Sequence, residues 1–183
     1  MAAVRIAILS DTHGFLDPRI ARVVRSCDSA IHAGDIGGAS VLHALSPRRN
    51  KIVAVRGNND TMRKWSAAEH RVLDDLAPVA ELDLPGGKIV VSHGDRCGSG
   101  PARHGRLRRD YPYARAVVYG HSHRLVCDRS AIPWVLNPGA AGRSRTFGGP
   151  SCIVLTASST SWRLRVFRFD GNRRLTSRAG RER

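Results

Sequence analysis

Lysine is almost missing from this chain. Of its 30 basic residues only Lys51, Lys64 and Lys88 are lysine, and the rest are arginine. Acidic residues are also few, 15 in all, so the formal net charge is +15. Such a surplus points toward nucleic acid, anionic lipid or a phosphate-bearing substrate. An arginine-for-lysine bias also follows from genome composition alone, so charge by itself selects none of these. Aromatic residues make up only 5% of the chain. There is no RNA-recognition motif, zinc finger or aromatic-rich basic strip, which counts against binding by base stacking. The four cysteines, Cys27, Cys97, Cys127 and Cys152, form no Cys-x-x-Cys pair. They read as reduced, mostly packing residues of a cytoplasmic protein, not as a disulfide frame. No run approaches the ~20 apolar residues of a membrane span, so no membrane partner is expected. The first apolar stretch is interrupted by Arg5, is too short for a secretory signal and reads as a first strand.

What is present suits a folded domain. With 183 residues and 42% hydrophobic content, the chain fits one domain with a real core, and global disorder is excluded. We place that domain at residues 1–172. The segment 173–183, with five arginines among its eleven residues, reads as a frayed basic tail.

Short apolar runs alternate with helix-like segments in the first half. Arg5–Leu9, Ser29–His32 and Lys51–Val55 read as buried strands. Asp17-Pro18 marks the start of a helix reaching about Arg25, and Ser40 is placed as the cap of a brief helix to Leu45. Val79–Leu84 and Lys88–Ser92 flank Pro85-Gly86-Gly87 as a β-hairpin. Ala102–Asp110 reads as a short basic helix facing solvent. Ala116–Tyr119, Leu125–Arg129, Trp134–Asn137, Ser151–Leu155 and Trp162–Phe169 are further strands. The alternation favours an α/β core with parallel strands.

Polar residues with metal-ligand chemistry sit where these strands end. Asp11 and His13 follow the first strand, Asp35 the second, Asn58 the third, His93 the return strand of the hairpin, and His121 and His123 a later strand. Neighbouring parallel strands deliver their carboxyl ends to one rim, where ligands bind. Each segment alone has a bland explanation: a capping Asp, a Gly-Asp turn or a core histidine. All five segments in order, each at a strand end, are hard to obtain by accident. Two divalent ions sharing one carboxylate would use all seven donors, with water completing the coordination.

The segments Asp11-x-His13, Gly34-Asp35, Gly57-Asn58, His93-Gly94 and Gly120-His121-x-His123 resemble, in order and spacing, the calcineurin-like metallophosphoesterases. The short chain, Val55-Arg56-Gly57-Asn58 and Asn137-Pro138-Gly139 are similar to the small YfcE-type phosphodiesterases among them. The resemblance covers roughly residues 4–170. It implies an α/β fold in which a two-sheet β-sandwich is flanked by helices, four layers in the order α/β/β/α. It also implies a dinuclear site on one edge. One metal would take Asp11, His13, Asp35 and His123, and the second Asp35, Asn58, His93 and His121, with Asp35 as the bridge. This O/N donor set suits Mn²⁺ first, then Ni²⁺, Co²⁺, Fe²⁺ or Zn²⁺.

The activity implied is hydrolysis of phosphodiesters by a metal-bridging hydroxide. Two ions about 3.5–4 Å apart hold a water whose pKa falls toward neutrality, and it attacks phosphorus in line. Asp35, Asn58 and His121 carry the catalytic assignment, and Asn59, Arg143 and Arg145 are candidates for substrate binding. Asn59 departs from the family: many relatives have His in this place, and the YfcE-type enzymes often have Cys. An amide is no general acid, and the loss of one typically costs about 10²–10⁴-fold, so poor leaving groups should turn over slowly. Asp95 stands where many small relatives carry another His, and either orients a ligand imidazole or caps a turn. His32 is expected in the core, and His43, His70 and His104 on the surface. Arg56 and Arg124 are expected to be structural.

The expected partner is a small phosphoester. Nucleic acid is an alternative substrate, and a homo-oligomer is left open. A non-catalytic scaffold, like the retromer subunit built on this fold, is the other alternative; that subunit lacks parts of the donor set filled here. Eight arginines between Arg96 and Arg129, against Asp110 and Asp128, lie close in sequence to His93, His121 and His123, where they would draw phosphate toward the rim.

Overall fold

The computed structural model describes residues 3–171, and the Arg-rich tail placed at 173–183 lies outside them. Among the described residues, ten strands form two five-stranded sheets. The first contains β1 (Val4–Leu9), β2 (Ser29–His32), β3 (Lys51–Ala54), β9 (Ser151–Ala157) and β10 (Trp162–Arg168), in the order β10-β9-β1-β2-β3. The second contains β4 (Val79–Leu84), β5 (Gly87–Ser92), β6 (Ala116–Val118), β7 (Leu125–Asp128) and β8 (Trp134–Pro138), in the order β4-β5-β6-β8-β7. Both sheets are mixed: β1-β2-β3 and β5-β6-β8 run parallel, while β9, β10, β4 and β7 pair antiparallel.

Strand periodicity sorts the side chains into layers. From β1, Ile6 and Ile8 face the other sheet and pack with Ile31, Val55, Ile89, Val91, Val118 and Leu136. Ala7 and Leu9 face outward and lie under α1 (Pro18–Arg25), whose Ile20, Val23 and Val24 recur at helical spacing. Asp17 caps α1 by accepting from Arg19 N, with Pro18 at the first turn. On the far side, Val90, Val117 and Val135 of the second sheet lie under Leu107 of α4 (Gly100–Asp110). The layers are therefore helix, sheet, sheet and helix, as expected.

Three local expectations are corrected. Ser40 does not cap α2 (Ala39–Ala44): it lies inside the helix, the cap position is Gly38, and Ala39 N donates to Glu69 Oε1 at 2.9 Å. Glu69 belongs to a segment not foreseen, a 3₁₀ turn at Ala67–Glu69 continuing into α3 (His70–Asp74). Ser66 and Glu69 form a capping box there, a Ser-x-x-Glu signature that was available in the sequence. The third correction is α4, whose inner face is not solvent-exposed. Arg103 and Leu107 are buried on the sheet, and His104 is half-buried between Asp128 Oδ2 (2.8 Å) and Tyr119 OH (3.1 Å).

Candidate metal centre

The parallel strands of both sheets end on one rim, and the hydrogen bonding between β1 and β2 continues past their ends. Asp11 N donates to Gly34 O, His13 N to Asp35 O and Gly14 N to Ile36 O, at 2.7–3.0 Å. Within the second sheet Gly120 N donates to His93 O (3.1 Å), and across the sandwich His121 N donates to Asp11 Oδ1 (3.1 Å). Asn137 fastens the His121 loop from β8, donating through Nδ2 to Gly120 O at 2.7 Å. Loops from two sheets are thus tied into one floor.

The backbone there is held in an unusual conformation. Seven non-glycine residues among those described have positive φ, and five of them are Asp11, His13, Asp35, His121 and His123, with φ between 47° and 63°. This left-handed region costs roughly 1–2 kcal/mol per residue and is uncommon outside glycine. Concentrated on predicted ligands, it marks a candidate functional site. Gly57 and Gly120 are glycines for a different reason, close approach. A Cβ on Gly57 would collide with Asp35, and one on Gly120 would lie 2.8 Å from Ala33 O and 3.0 Å from Asp11 Oδ2.

The donors converge. One ligand atom from each of Asp11, His13, Asp35 and His123 lies within 4.8 Å of the others. His123 Nε2 is 3.4 Å from Asp11 Oδ1, and His13 Nε2 is 3.2 Å from His123 Nε2. On the other side of Asp35, His93 Nε2 lies 3.4 Å from Asp35 Oδ2 and 3.1 Å from Asn58 Oδ1. His121 Nδ1 is 3.1 Å from the same Asn58 oxygen. All seven residues singled out in the sequence are thus brought together, with Asp35 between the two groups. Carboxylate, amide oxygen and imidazole nitrogen form a donor set that fits first-row divalent metals.

Electrostatics also suit a cation. Burial pushes the Asp11 carboxyl up to about 7. Burial likewise takes His123 down to about 4, with the charge of Arg145 adding to the effect, and lowers His13 and His121. Burial would raise Asp35 too, but His93 and the two donors of Asn59 outweigh it and hold Asp35 well below the usual carboxylate range. Asp35 in turn holds His93 above its ordinary value against burial. His13, His121 and His123, each biased toward the neutral imidazole and crowded near two buried carboxylates, leave room for the positive charge a divalent ion would supply.

Orienting groups were only partly legible in the sequence. Asp95 does not hold an imidazole: its contact among the described residues is Arg96 Nε at 3.9 Å. Backbone carbonyls do that work, Ala33 O on His93 Nδ1 (2.8 Å) and Ser144 O on His123 Nδ1 (3.2 Å). Each leaves Nε2 facing the donor cluster. Asn59 donates from its backbone N to Asp35 Oδ1 (2.8 Å) and from Nδ2 to Asp35 Oδ2 (2.7 Å), and Lys64 Nζ donates to its Oδ1. Arg143 stacks on Phe15, 3.5 Å from the ring centroid. Arg145 is exposed, and its charge reaches His13 and His123. Arg56 donates to Asp60 O at 2.9 Å and Arg124 covers the Phe147 ring at 4.2 Å, both in line with a structural role.

Asp60 was not singled out in the sequence and proves to be a hub. It is buried, and its carboxylate accepts from Ile36 N, Gly37 N and Gly57 N at 2.9–3.1 Å and from Trp65 Nε1 at 3.1 Å. One side chain thereby joins the loop carrying Asp35 to the loop carrying Asn58. His32 is fully buried as expected, with Nε2 2.8 Å from Thr12 Oγ1.

Residues 4–160 match the profile of the Calcineurin-like phosphoesterase superfamily domain. The chain belongs to that superfamily. Phosphodiesterase MJ0936 of Methanocaldococcus jannaschii is 28% identical over 175 residues, covering 87% of this chain and 97% of that protein. Among solved structures, YfcE, a phosphoesterase from E. coli, matches with a TM-score of 0.60 and 22% identity over 82% of this chain and 87% of its own. Chaetomium thermophilum Vps29 matches with a TM-score of 0.71 and 17% identity over 91% of this chain and 89% of its own. These likenesses bear out the YfcE-type resemblance and the two-sheet calcineurin-like fold. Among the described residues, no helix is long and apolar enough to cross a membrane.

Proposed function

We propose that this calcineurin-like protein is a metal-dependent phosphodiesterase working at a dinuclear centre, with residues 1–172 as one catalytic unit. The observation that carries the reading is the pair of donor groups meeting at Asp35. Asp11, His13, Asp35 and His123 would hold one divalent ion, and Asp35, Asn58, His93 and His121 the other, with Mn²⁺ the first candidate. When bound, such ions supply Lewis acidity at the phosphoryl group and a nucleophile at neutral pH.

The chain's own residues prepare this chemistry. Asn59 keeps Asp35 ionised and aimed between the two groups. The Ala33 and Ser144 carbonyls fix the tautomers of His93 and His123, so that each offers a lone pair at Nε2. Asn58 contributes an oxygen without adding charge. Arg145, whose charge reaches His13 and His123, would orient the phosphate, whereas Arg143 stacks on Phe15. Asn59 has no acidic proton to give a leaving oxygen, so aryl and otherwise activated diesters are the better substrates.

The test is hydrolysis of a bis-aryl phosphate across Mn²⁺, Ni²⁺, Co²⁺, Zn²⁺ and Mg²⁺, with a matched monoester alongside. Asp35→Ala and His121→Ala should each abolish metal-dependent turnover. Near-full activity of either variant with added Mn²⁺ would refute the dinuclear reading. Bound metal near zero together with no hydrolysis would favour a protein-binding scaffold. A salt-sensitive electrophoretic shift with nucleic acid would favour a nuclease.

A further inference from the structure

Beside the donor cluster the surface opens into a cleft of about 680 Å³, with Asn58 and His93 among the residues that line it. The rest of its lining differs from the cluster. Tyr111 and Val79 are half-buried aromatic and aliphatic residues, Arg56 and Arg96 are cationic, Asp95 is a carboxylate and Ser92 a hydroxyl. Ser92 is only 7% exposed, yet its Oγ has no hydrogen-bond partner among the described residues. That oxygen is itself enclosed, so the polar groups a ligand in the cleft would meet are the exposed Asp95 and Arg96. Arg96 and Asp95 approach only to 3.9 Å, too far for a hydrogen bond, so both retain capacity for a ligand.

Size and chemistry narrow the occupant. A methyl or glyceryl ester would leave most of this space to water. An acyl chain would press hydrocarbon against Asp95 and two guanidinium groups with nothing to pair them. A nucleoside matches the lining. Its base offers a π-face to Tyr111, its ring and sugar polar atoms suit Asp95, and an additional phosphate suits Arg96. Building on the phosphodiesterase reading above, we propose that the cleft is the subsite for the nucleoside arm of a nucleoside phosphodiester. The reacting phosphoryl group then lies at the donor cluster and the base lies along Tyr111.

Two substrates with one leaving group test this: the p-nitrophenyl ester of thymidine 5′-phosphate and methyl p-nitrophenyl phosphate. The ratio of their kcat/KM values is measured for wild type, Tyr111→Ala and Val79→Trp. Base stacking on an aromatic side chain is sequence-tolerant, so the ratio should fall about tenfold in Tyr111→Ala. It should fall further in Val79→Trp, where the indole fills the cleft. Calorimetric titration with thymidine 5′-monophosphate reads the same subsite without turnover, and both variants should weaken it by a similar factor. A ratio unchanged in both variants, with unchanged nucleotide binding, overturns the subsite while leaving the phosphodiesterase reading intact. If wild type hydrolyses neither ester, that reading fails, and the titration alone then decides whether the cleft takes a nucleotide.

Discussion

Replacing Asp60 by alanine should damage this protein more than replacing any exposed acid. The carboxylate is 1% exposed and accepts from three backbone N–H groups and the Trp65 indole. Each buried donor stripped of its acceptor costs about 1–3 kcal/mol, and bonds to an ionised acceptor lie at the upper end. The four costs do not add, because water can enter and the loops can relax. A net loss of about 3–5 kcal/mol is expected, a large part of the roughly 5–15 kcal/mol that holds a domain folded. Asp60→Asn keeps the volume and one acceptor oxygen but turns an NH₂ toward Gly57 N, so about half that loss is expected. Urea unfolding of metal-free protein, compared at constant m, gives the numbers without a contribution from bound ligand. Metal affinity measured separately should fall about 10- to 100-fold, because the Asp35 and Asn58 loops lose their common anchor. A loss below about 1 kcal/mol in Asp60→Ala, or an unchanged metal affinity, would refute the reasoning.

Other predictions follow from the same geometry. With the folded pKa of Asp11 raised to about 7 from 3.8, the native state keeps a proton that the unfolded chain releases, so this residue costs stability increasingly as pH rises from about 4 to 7. Metal-free Asp11→Asn should therefore equal wild type in stability near pH 4 and exceed it at pH 8, by at most roughly 4 kcal/mol; calorimetry at the two pH values checks this, and a gap that shrinks with pH contradicts it. His32 acts in the opposite direction, since burial lowers it to about 4 from 6.5. Its contribution is present above pH 6.5 and is lost as pH falls toward 4, so His32→Gln should flatten the acid limb of metal-free unfolding curves, and an unaltered limb would exclude it. Gly57→Ala puts a methyl group into Asp35 and should lower kcat/KM on a bis-aryl phosphate at least 100-fold, whereas Gly171→Ala, whose Cβ position meets nothing within 4 Å, serves as the control for steric conflict. If the arginines between Arg96 and Arg129 steer anionic substrate, kcat/KM for a diester should drop several-fold between low and 0.3 M salt; a flat response removes steering from the account.

The strands and the donor residues were legible because two simple signals carried them. Short apolar runs punctuated by Gly-Asp, Gly-Asn and Gly-His gave strand ends within one to three residues, and the parallel arrangement then forced the donors onto one rim. Asp60 stayed hidden because nothing in Gly57-Asn58-Asn59-Asp60 reveals that the last residue turns inward to meet backbone amides 24 residues away. Asn59 was judged by the proton it lacks, while its structural task, two bonds to Asp35, depends on a loop pairing that local sequence does not specify. The α3 segment was missed because five residues carry too little periodicity, although its capping box was present. His104 looked like a surface residue because its partners, Asp128 and Tyr119, come from strands on the far side of a loop.

The left-handed backbone at the five donor positions also bears on how such a chain can change over evolutionary time. The shape of the rim is stored largely in the main chain and its inter-loop hydrogen bonds, to which Asp11 and Asp35 add through their carboxylates, so the histidines are more guests of the fold than its builders. Glycine at Asp11, His13, Asp35, His121 or His123 would abolish chemistry while relieving backbone strain, whereas valine at the same places would add to it. A lineage that ceased to need hydrolysis could therefore shed its histidine donors one at a time without unfolding, with Asp11 and Asp35 the last to go. The architecture would outlast the reaction it now frames.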